Sequence, residues 1–333
     1  MRKPHSVIID PRLAKKRLVD VLQISFRLPR KDALAALRNK QVRICGGVCL
    51  DPERRVKVGQ NIQVDRKPSP RDKQADQKPG LPPMARQIVV RYVDEHIVVV
   101  EKPAGLTTVR HADEVQSLGP RARKFLPPTL VDLLPAVLAQ SASACGVANR
   151  KPGRIRAVHR IDKETSGLVV LARTPEAESH LGKQFRAHST GRHYLALTRG
   201  HAADARIESH LVADRGDGRR GSGEKGQRAV THVKLVEHLG DFSLVECQLE
   251  TGRTHQVRIH LGEAGTPLCG ERLYDRPVHG APLPDASGAT RPMLHAAYLA
   301  IDHPATGKRM EWHANMPTDM AELARRMHDE SPG

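Results

Sequence analysis

Aromatic side chains are scarce in this sequence, with one Trp, four Tyr and four Phe in 333 residues. A core must therefore be built from Val, Leu, Ile and Ala, and a hydrophobic fraction of 39% makes it adequate but lean. Long apolar runs are missing as well. Residues 97–100 and 130–138, the second broken by Asp132 and Pro135, fall far short of the ~20 that cross a bilayer, which excludes a helical membrane span. The amino terminus, MRKPHSVIIDPRLAKK, lacks an apolar stretch before a small-residue cleavage site, so a cytoplasmic protein is expected. The five cysteines (Cys45, Cys49, Cys145, Cys247, Cys269) are odd in number and scattered, and read as reduced thiols rather than a disulfide framework. A P-loop, a Cys-x-x-Cys pair and a His-Glu-x-x-His helix are all absent. His255 and His260 stand one residue off the i, i+4 spacing that puts two ligands on one helix face, so neither a metal nor a cofactor is expected.

Acidic residues are outnumbered. The chain has 54 Lys and Arg against 37 Asp and Glu, a formal charge of +17. A surplus of that size attracts polyanions, with RNA and DNA ahead of anionic lipid, although a merely well-solvated basic surface would look the same. The length suits about two domains of ~150 residues.

The pattern divides in that way. Residues 12–66 read as a small module, with Leu13, Leu18, Val21 and Leu22 on one helical spacing and Ala33, Leu34, Ala36 and Leu37 on a second after Pro29. Glycine-punctuated alternation then runs through Val42, Ile44, Gly46, Gly47, Val48, Gly59, Ile62 and Val64, as in short strands joined by tight turns. Residues 67–86 hold five prolines and few apolar side chains, and read as an extended linker. Residues 87–330 read as one larger mixed unit, with strands predicted at 88–92, 97–100, 168–172, 194–198 and 242–249 and helices at 175–185, 254–262 and 319–327. Residues 111–124, 215–228 and 277–292 are Gly-, Pro- or charge-rich and read as surface loops. The second carries four Arg and one Lys that suit phosphate contacts.

Four local patterns stand out in the larger unit. In Arg156-Ala157-Val158-His159-Arg160-Ile161-Asp162-Lys163-Glu164-Thr165-Ser166-Gly167, a carboxylate sits among basic neighbours just before a turn that opens an apolar strand. Alone, Asp162 is better read as ordering that turn through its own backbone. In Thr251-Gly252-Arg253-Thr254-His255-Gln256-Val257-Arg258-Ile259-His260, a glycine turn leads into a short basic helix. Arg258 there is either an internal guanidinium that orients a carboxylate or part of a solvated face. Lys102-Pro103-Ala104-Gly105 ends a strand, and Arg192-His193-Tyr194-Leu195-Ala196 places one of the four tyrosines on another.

Taken in order, these four patterns resemble the RluA-type pseudouridine synthases, whose elements are a Lys-Pro-x-Gly turn, His-Arg-Leu-Asp-x-x-Thr-Ser-Gly, Lys-x-Tyr-x-Ala and Thr-Gly-Arg-Thr-His-Gln-(Ile/Val)-Arg-x-His. The stretch from Gly265 to Tyr274 and the pieces Leu294-His295-Ala296 and His303-Pro304 are similar too. Three departures are mild: Ile161 for Leu, Glu101 for Asn, and Arg192 for the Lys before the tyrosine. Residues 12–65 resemble more weakly the alpha-L RNA-binding module of the ribosomal small-subunit protein-four type, in which Arg30, Lys31, Arg38 and Lys40 would supply phosphate contacts. A small basic domain that docks on protein is the alternative.

The resemblance implies an α+β catalytic domain with a bent, mixed, mainly antiparallel sheet, whereas periodicity alone would also allow a parallel one. It implies isomerisation of uridine in RNA: the glycosidic bond to nitrogen is cut, the uracil turns, and the sugar is rejoined through carbon five. No metal or cofactor is required. Asp162 maps onto the family's essential aspartate, and an ionised aspartate is ready either to attack the anomeric carbon or to take a proton from the sugar. Arg258 maps onto its basic partner and Tyr194 onto the tyrosine that stacks on the base. Arg160 is expected in the space left by a flipped uridine. Lys102 is grouped with the RNA-contacting residues as part of the site floor, and His159 and Arg253 as structural or phosphate-contacting. The expected partner is RNA, with 23S-type large-subunit ribosomal RNA first and transfer RNA as the alternative, and the default state is a monomer. A catalytically silent RNA-binding or ribosome-assembly factor on the same fold is the rival reading. A base deaminase is disfavoured because no zinc signature is present.

Overall fold

Apolar spacing and turn residues divide the chain into two units, Met1–Gly80 and Leu81–Gly333. The computed structural model describes residues 6–39, 41–64, 81–110, 126–144, 154–277 and 280–329.

In the first unit, strand β1 (Ser6–Ile8) precedes helices α1 (Leu18–Phe26) and α2 (Arg30–Arg38), and β2 (Val42–Ile44), β3 (Gly47–Val48) and β4 (Asn61–Val64) follow. The strands lie in the order β1-β4-β2-β3, with every pair antiparallel. Leu18, Leu22 and Phe26 of α1 and Ala33 and Leu37 of α2 fall three or four apart, so each helix presents one apolar stripe to Val42, Ile44 and Ile62. Cys45 and Gly46, at φ 49° and 87°, join β2 to β3 in the two-residue turn whose twist suits paired strands.

Two expectations for this unit change. The first helix begins at Leu18 rather than Leu13, because the Asp10 carboxylate accepts the Arg12 and Leu13 amides (2.9 and 3.0 Å) and bends that stretch into a turn. The unit also starts before residue 12, since β1 pairs with β4 and Ile9 is buried.

The second unit opens with a short helix, α3 (Pro83–Arg86), inside the stretch expected to be linker. Proline at its start costs no hydrogen bond, and Ala85 is buried in the main core. Then come β5 (Val89–Val93), β6 (Ile97–Lys102), α4 (Leu130–Ala144), β7 (Arg156–Ala157), β8 (Ser166–Ala172), α5 (Pro175–Arg186) and β9 (Gly191–Arg199). The remainder comprises β10 (Ala205–Val212), β11 (Gly221–Ser222), β12 (Gln227–Leu239), β13 (Phe242–Leu249), α6 (Gln256–Glu263), β14 (Leu294–Asp302), β15 (Arg309–His313) and α7 (Thr318–Asp329).

Eleven described strands form one sheet in the order β11-β10-β12-β13-β9-β14-β8-β6-β5, with β15 on β14 and β7 on β8. Every pairing is antiparallel except β14 with β8, so the fold is α+β with a mixed, mainly antiparallel sheet. Next to the edge strand β5, strands β6 and β8 are almost wholly apolar because both faces are covered. Val98, Val100, Val169 and Leu171 pack with Leu130 and Leu134 of α4, while Ile97, Val99, Leu168 and Val170 pack with Ala177 and Leu181 of α5. Thr174 caps α5 by accepting the Ala177 amide at 3.1 Å, Pro175 follows, and Glu176 and Lys183 sit at the ends that the helix dipole favours.

Of the three expected loops, 111–124 lies outside the described residues. The 215–228 stretch contains β11 and the start of β12, so it is the tip of a three-strand edge rather than an open loop. Residues 280–292 carry no helix or strand, and Asp285 ties them to the core by accepting the Gly270 amide at 2.7 Å. Among the described residues no helix is long and apolar enough to cross a membrane. Cys45, Cys49, Cys247 and Cys269 are free thiols, and Cys145 lies outside the described residues.

Candidate active site

The connection from β7 to β8, residues 158–165, is fixed carbonyl by carbonyl. The Asp162 carbonyl accepts the Thr165 amide at 3.1 Å, closing a tight turn. The Ile161 carbonyl accepts from Thr108 Oγ1 (2.9 Å), the Lys163 carbonyl from Lys102 Nζ (3.0 Å) and the Glu164 carbonyl from Arg291 Nη1 (3.2 Å). Lys102 also donates to the carbonyls of Pro103 (3.0 Å) and Leu106 (2.7 Å), which gives three acceptors for the three protons of an ammonium. Burial pushes its pKa down to about 7, opposed by the charges of Glu164 and Asp162. At 1% exposure Lys102 is beyond the reach of a nucleic acid, so its place among RNA-contacting residues is corrected: it braces the loop from beneath.

Tyr194 is brought to this loop by the sheet. Ala296 on β14 pairs with Gly167 of β8 on one side and Tyr194 of β9 on the other. Gly167 has φ +112°, and a Cβ there would overlap the Ala296 carbonyl oxygen, so a side chain is excluded at the one parallel contact of the sheet. Burial first, and then the charge of Asp162, raises the Tyr194 pKa to about 12 against the pull of Arg192, so the phenol keeps its proton at neutral pH.

Helix α6 carries the opposite wall. Gln256 accepts from Thr251 Oγ1 (2.7 Å) and the Arg253 amide (3.0 Å) and donates to the Val230 carbonyl (2.9 Å) and Thr231 Oγ1 (3.0 Å), which locks the glycine turn onto β12. His260 is buried between Thr231 Oγ1 (2.9 Å) and Ser209 Oγ (3.1 Å), and burial lowers its pKa to about 4. Its role is therefore packing. His255, in the left-handed region at φ 59°, begins the helix.

At the centre, Asp162 Oδ2 lies 3.6 Å from Arg258 Nη1 and Oδ1 lies 3.9 Å from His255 Nε2. Arg258 is held from behind by Glu271, through Nε at 2.7 Å and Nη2 at 2.9 Å, and its guanidinium lies 5.2 Å from the centre of the Tyr274 ring. Tyr274 Oη is 2.7 Å from His255 Nδ1. Burial holds His255 below its ordinary pKa, partly offset by Asp162, which leaves it a neutral imidazole at pH 7. The Asp162 side chain thus faces the Arg258 guanidinium and, farther off, the His255 ring. Around it opens a cavity of about 480 Å³ that Arg160, Tyr194, Arg253 and Arg258 line.

A sequence pattern described as RNA pseudouridylate synthase matches residues 96–263, about half of the chain, from β6 to α6. The chain belongs to the RNA pseudouridylate synthase family. It is 39% identical over 241 residues to ribosomal large subunit pseudouridine synthase D of Zymomonas mobilis, covering 69% of each chain. With the protein of the same name from Neisseria meningitidis it shares 36% over 248 residues, 72% of this chain and 61% of that one. Human RNA pseudouridylate synthase domain containing 4 shares the fold, at a TM-score of 0.55 and 22% identity over 75% of this chain and 96% of that one.

Within this pseudouridylate synthase, the other residues singled out from sequence divide. Arg160 is exposed at the cavity rim and makes no ion pair among the described residues. Arg253 lines the cavity and donates through Nε to the Arg228 carbonyl at 3.1 Å. Of the two roles expected for His159, structural or phosphate-contacting, the geometry favours the structural one over its place among RNA-binding residues. Its Nε2 accepts the Val170 amide at 3.0 Å, its ring stacks on Phe185 at 4.4 Å, and burial lowers its pKa to about 3, so it brings no positive charge. In the first unit, Arg30, Lys31 and Arg38 are exposed on α2, and Lys40 lies outside the described residues.

The basic loop is less free than its composition suggests. Arg215 pairs with Asp217 and Glu263, and Arg228 with Glu208 and Glu250. Arg220 and Lys225 line a second cavity of about 350 Å³, which shares Gly252, Arg253 and Thr254 with the first.

Sequence reading missed Glu271, Tyr274 and Arg291 as builders of the site. Glu271 stands 13 residues from the Arg258 it holds and Arg291 stands 127 from the Glu164 carbonyl it meets, and only the stretch from Gly265 to Tyr274 hinted at the first two. Among the described residues no group of three or more His, Cys, Asp or Glu side chains is placed to hold a metal.

Proposed function

We propose that this chain isomerises uridine to pseudouridine in large-subunit ribosomal RNA, with Asp162 as the reacting carboxylate. The observation that carries this reading is the pairing of Asp162 with Arg258 at 3.6 Å inside a cavity lined by Tyr194 and cationic side chains. The choice of ribosomal RNA is supported by the names of the relatives from Zymomonas and Neisseria.

In the reaction, a flipped uridine enters the cavity and its base stacks on the Tyr194 ring. Asp162 attacks the anomeric carbon as the bond to the ring nitrogen breaks, and the electron pair leaves with the uracil. The uracil turns, carbon five bonds to the anomeric carbon, and the Asp162 carboxylate is released. Carbon five then loses its proton and the nitrogen gains one, so substrate and product are isomers. The alternative route begins with Asp162 taking a proton from the sugar and reaches the same product. Arg258, fixed by Glu271, keeps a positive charge beside the Asp162 carboxylate and helps hold its orientation. The protonated Tyr194 phenol suits stacking and proton donation rather than acting as a base. Arg160 occupies the gap that the flipped uridine leaves.

The first unit acts in this reading as a tethered RNA-binding module whose Arg30, Lys31 and Arg38 contact phosphates, raising the local concentration of RNA. Removing residues 1–80 then weakens RNA binding more than turnover at saturating RNA, and an equal loss of both would overturn the division of labour. The enzyme works as a monomer in the cytoplasm, which light scattering and fractionation would check.

The test is Asp162→Ala on unmodified large-subunit rRNA transcripts, scored by release of tritium from carbon five of labelled uridine. Turnover disappears while RNA binding is largely kept. Undiminished tritium release would reject Asp162. A wild-type protein that binds the transcripts without modifying them would shift the reading to a silent RNA-binding factor, and modification of transfer RNA alone would replace the substrate.

A further inference from the structure

Among the described residues, Arg192 of β9 is a buried cation without a counter-ion. Its side chain is 8% exposed, and Nε and Nη2 are enclosed with no hydrogen-bond partner. Other enclosed guanidinium groups of this unit keep at least one partner: Arg258 and Arg291 pair with Glu271 and Asp319, and Arg199 donates from both terminal nitrogens to the carbonyls of Leu283 and Glu271, leaving only its Nε without one. Against Arg192 lie the Phe185 ring, 5.7 Å from its guanidinium carbon, and the backbone of Gly252, where a Cβ would overlap Nη1. Burial lowers its pKa from the ordinary arginine value, and the one neighbour that offsets this is Tyr194.

The position is not a sealed interior. Arg192, Phe185 and Gly252 all line the cavity that contains Asp162 and Tyr194. Residues 192 and 194 are two apart on a strand, so their side chains emerge on the same face of β9. The positive field there is reinforced, since His188 is held below its ordinary pKa by burial and then by Arg192, Arg253 and Arg228. An enclosed, unpaired cation is unfavourable in the free protein, and a bound anion relieves that cost.

We propose that Arg192 is the seat of a backbone phosphodiester of the RNA beside the uridine that enters the cavity, with Gly252 left bare so that a phosphate oxygen can reach the guanidinium. This rests on the assignment of RNA as the substrate of this cavity. A single negative charge matches a single unpaired guanidinium, and the planar fork of donors suits phosphate oxygens.

The experiment compares wild type with Arg192→Met and Arg192→Lys. It measures Kd for an unmodified large-subunit rRNA transcript by filter binding over a range of salt, kcat at saturating RNA, and the thermal midpoint without RNA. Arg192→Met weakens RNA binding about tenfold or more, changes kcat less than threefold, and flattens the log Kd against log salt slope by about 0.7 for one lost phosphate contact on a single strand. The thermal midpoint stays level or rises, because a buried unpaired charge has been removed, and Arg192→Lys recovers most of the affinity. Unchanged Kd and salt slope in Arg192→Met overturn the proposal. A fall in thermal midpoint with an unchanged salt slope also overturns it, because Arg192 is then structural. Filter binding needs no turnover, so an inactive wild type would sink the enzymatic reading while leaving this contact to be judged on Kd and slope alone.

Discussion

Arg258 spans two carboxylates and holds them unequally: Nε and Nη2 lie 2.7 and 2.9 Å from the oxygens of Glu271, while Nη1 lies 3.6 Å from Asp162. The Glu271 side chain is fully enclosed, and its Oε1 also accepts the amides of Arg272, Leu273 and Tyr274 at 3.1, 2.8 and 3.2 Å. The anchor is therefore Glu271. Arg258 is kept from closing as a bidentate clamp on Asp162, which would tie up both carboxylate oxygens.

Glu271→Gln tests this arrangement. Removing one partner of an enclosed ion pair lowers stability by about 3 kcal/mol. Turnover falls by about one to two orders of magnitude as Arg258 shifts onto Asp162, while RNA affinity changes little. Urea melts and kcat on a ribosomal RNA transcript check both parts. A variant that is destabilised but turns over at the wild-type rate would show that Glu271 does not position Arg258 for the reaction.

Lys102 gives the activity an alkaline limb. Below its pKa of about 7 the ammonium satisfies the carbonyls of Pro103, Leu106 and Lys163, and above it one of the three hydrogen bonds is lost and the Asp162 turn loosens. Activity thus declines as pH rises through about 7 to 8. Lys102→Met removes that limb, lowers turnover at every pH, and costs about 2 kcal/mol through the stranded carbonyls. A variant with an unaltered pH–rate profile would refute the link.

Acid stability follows from three histidines kept neutral by burial. The pKa values of His159, His260 and His295 in the fold are about 3, about 4 and about 4, against ~6.5 in the unfolded chain. All three are lowered, so the stability they permit is complete above pH ~6.5 and is lost as pH falls toward 4, because the unfolded chain takes up protons first. Each group costs up to about 1.4 kcal/mol per pH unit in that window, so stability drops by about 3 to 4 kcal/mol between pH 6 and pH 5. Denaturant midpoints across that range would measure it. A flat profile between pH 6 and 5 would mean that these imidazoles protonate within the fold.

Gly167→Ala strikes the parallel contact of the sheet. With φ at +112° and a Cβ overlapping the Ala296 carbonyl, the substitution meets backbone on a neighbouring strand rather than a movable side chain. It costs about 3 kcal/mol or more and displaces the adjoining Asp162 turn. Thermal melts and turnover should both fall, and a variant of wild-type stability would show that β8 and β14 separate easily.

Much of this was legible along the chain. The strands expected at 97–100 and 168–172 and the helix expected at 175–185 fall on β6, β8 and α5. The four motifs named Asp162, Tyr194 and Arg258 before any coordinates placed them around one cavity. Other features were not legible. Helix α4 is interrupted in sequence by Pro135 and was seen only as an apolar run, and β10 has a mixed pattern because it lies near the sheet's edge, half exposed. For His159 the pattern left a structural and a phosphate-contacting role open, and only the fold shows its nitrogen accepting the Val170 amide.

By itself the sequence determined the chemistry on offer: which carboxylate, guanidinium and phenol are available, which strands must be buried, and the surplus of positive charge. Only the tertiary structure decided how those groups are paired. Glu271 rather than Asp162 clamps Arg258, Lys102 braces a loop 61 residues away, and Arg192 is left enclosed with no carboxylate. Local pattern reports propensity and the period of burial, whereas the partner of a charge is set by which distant segments the sheet brings within a few ångströms.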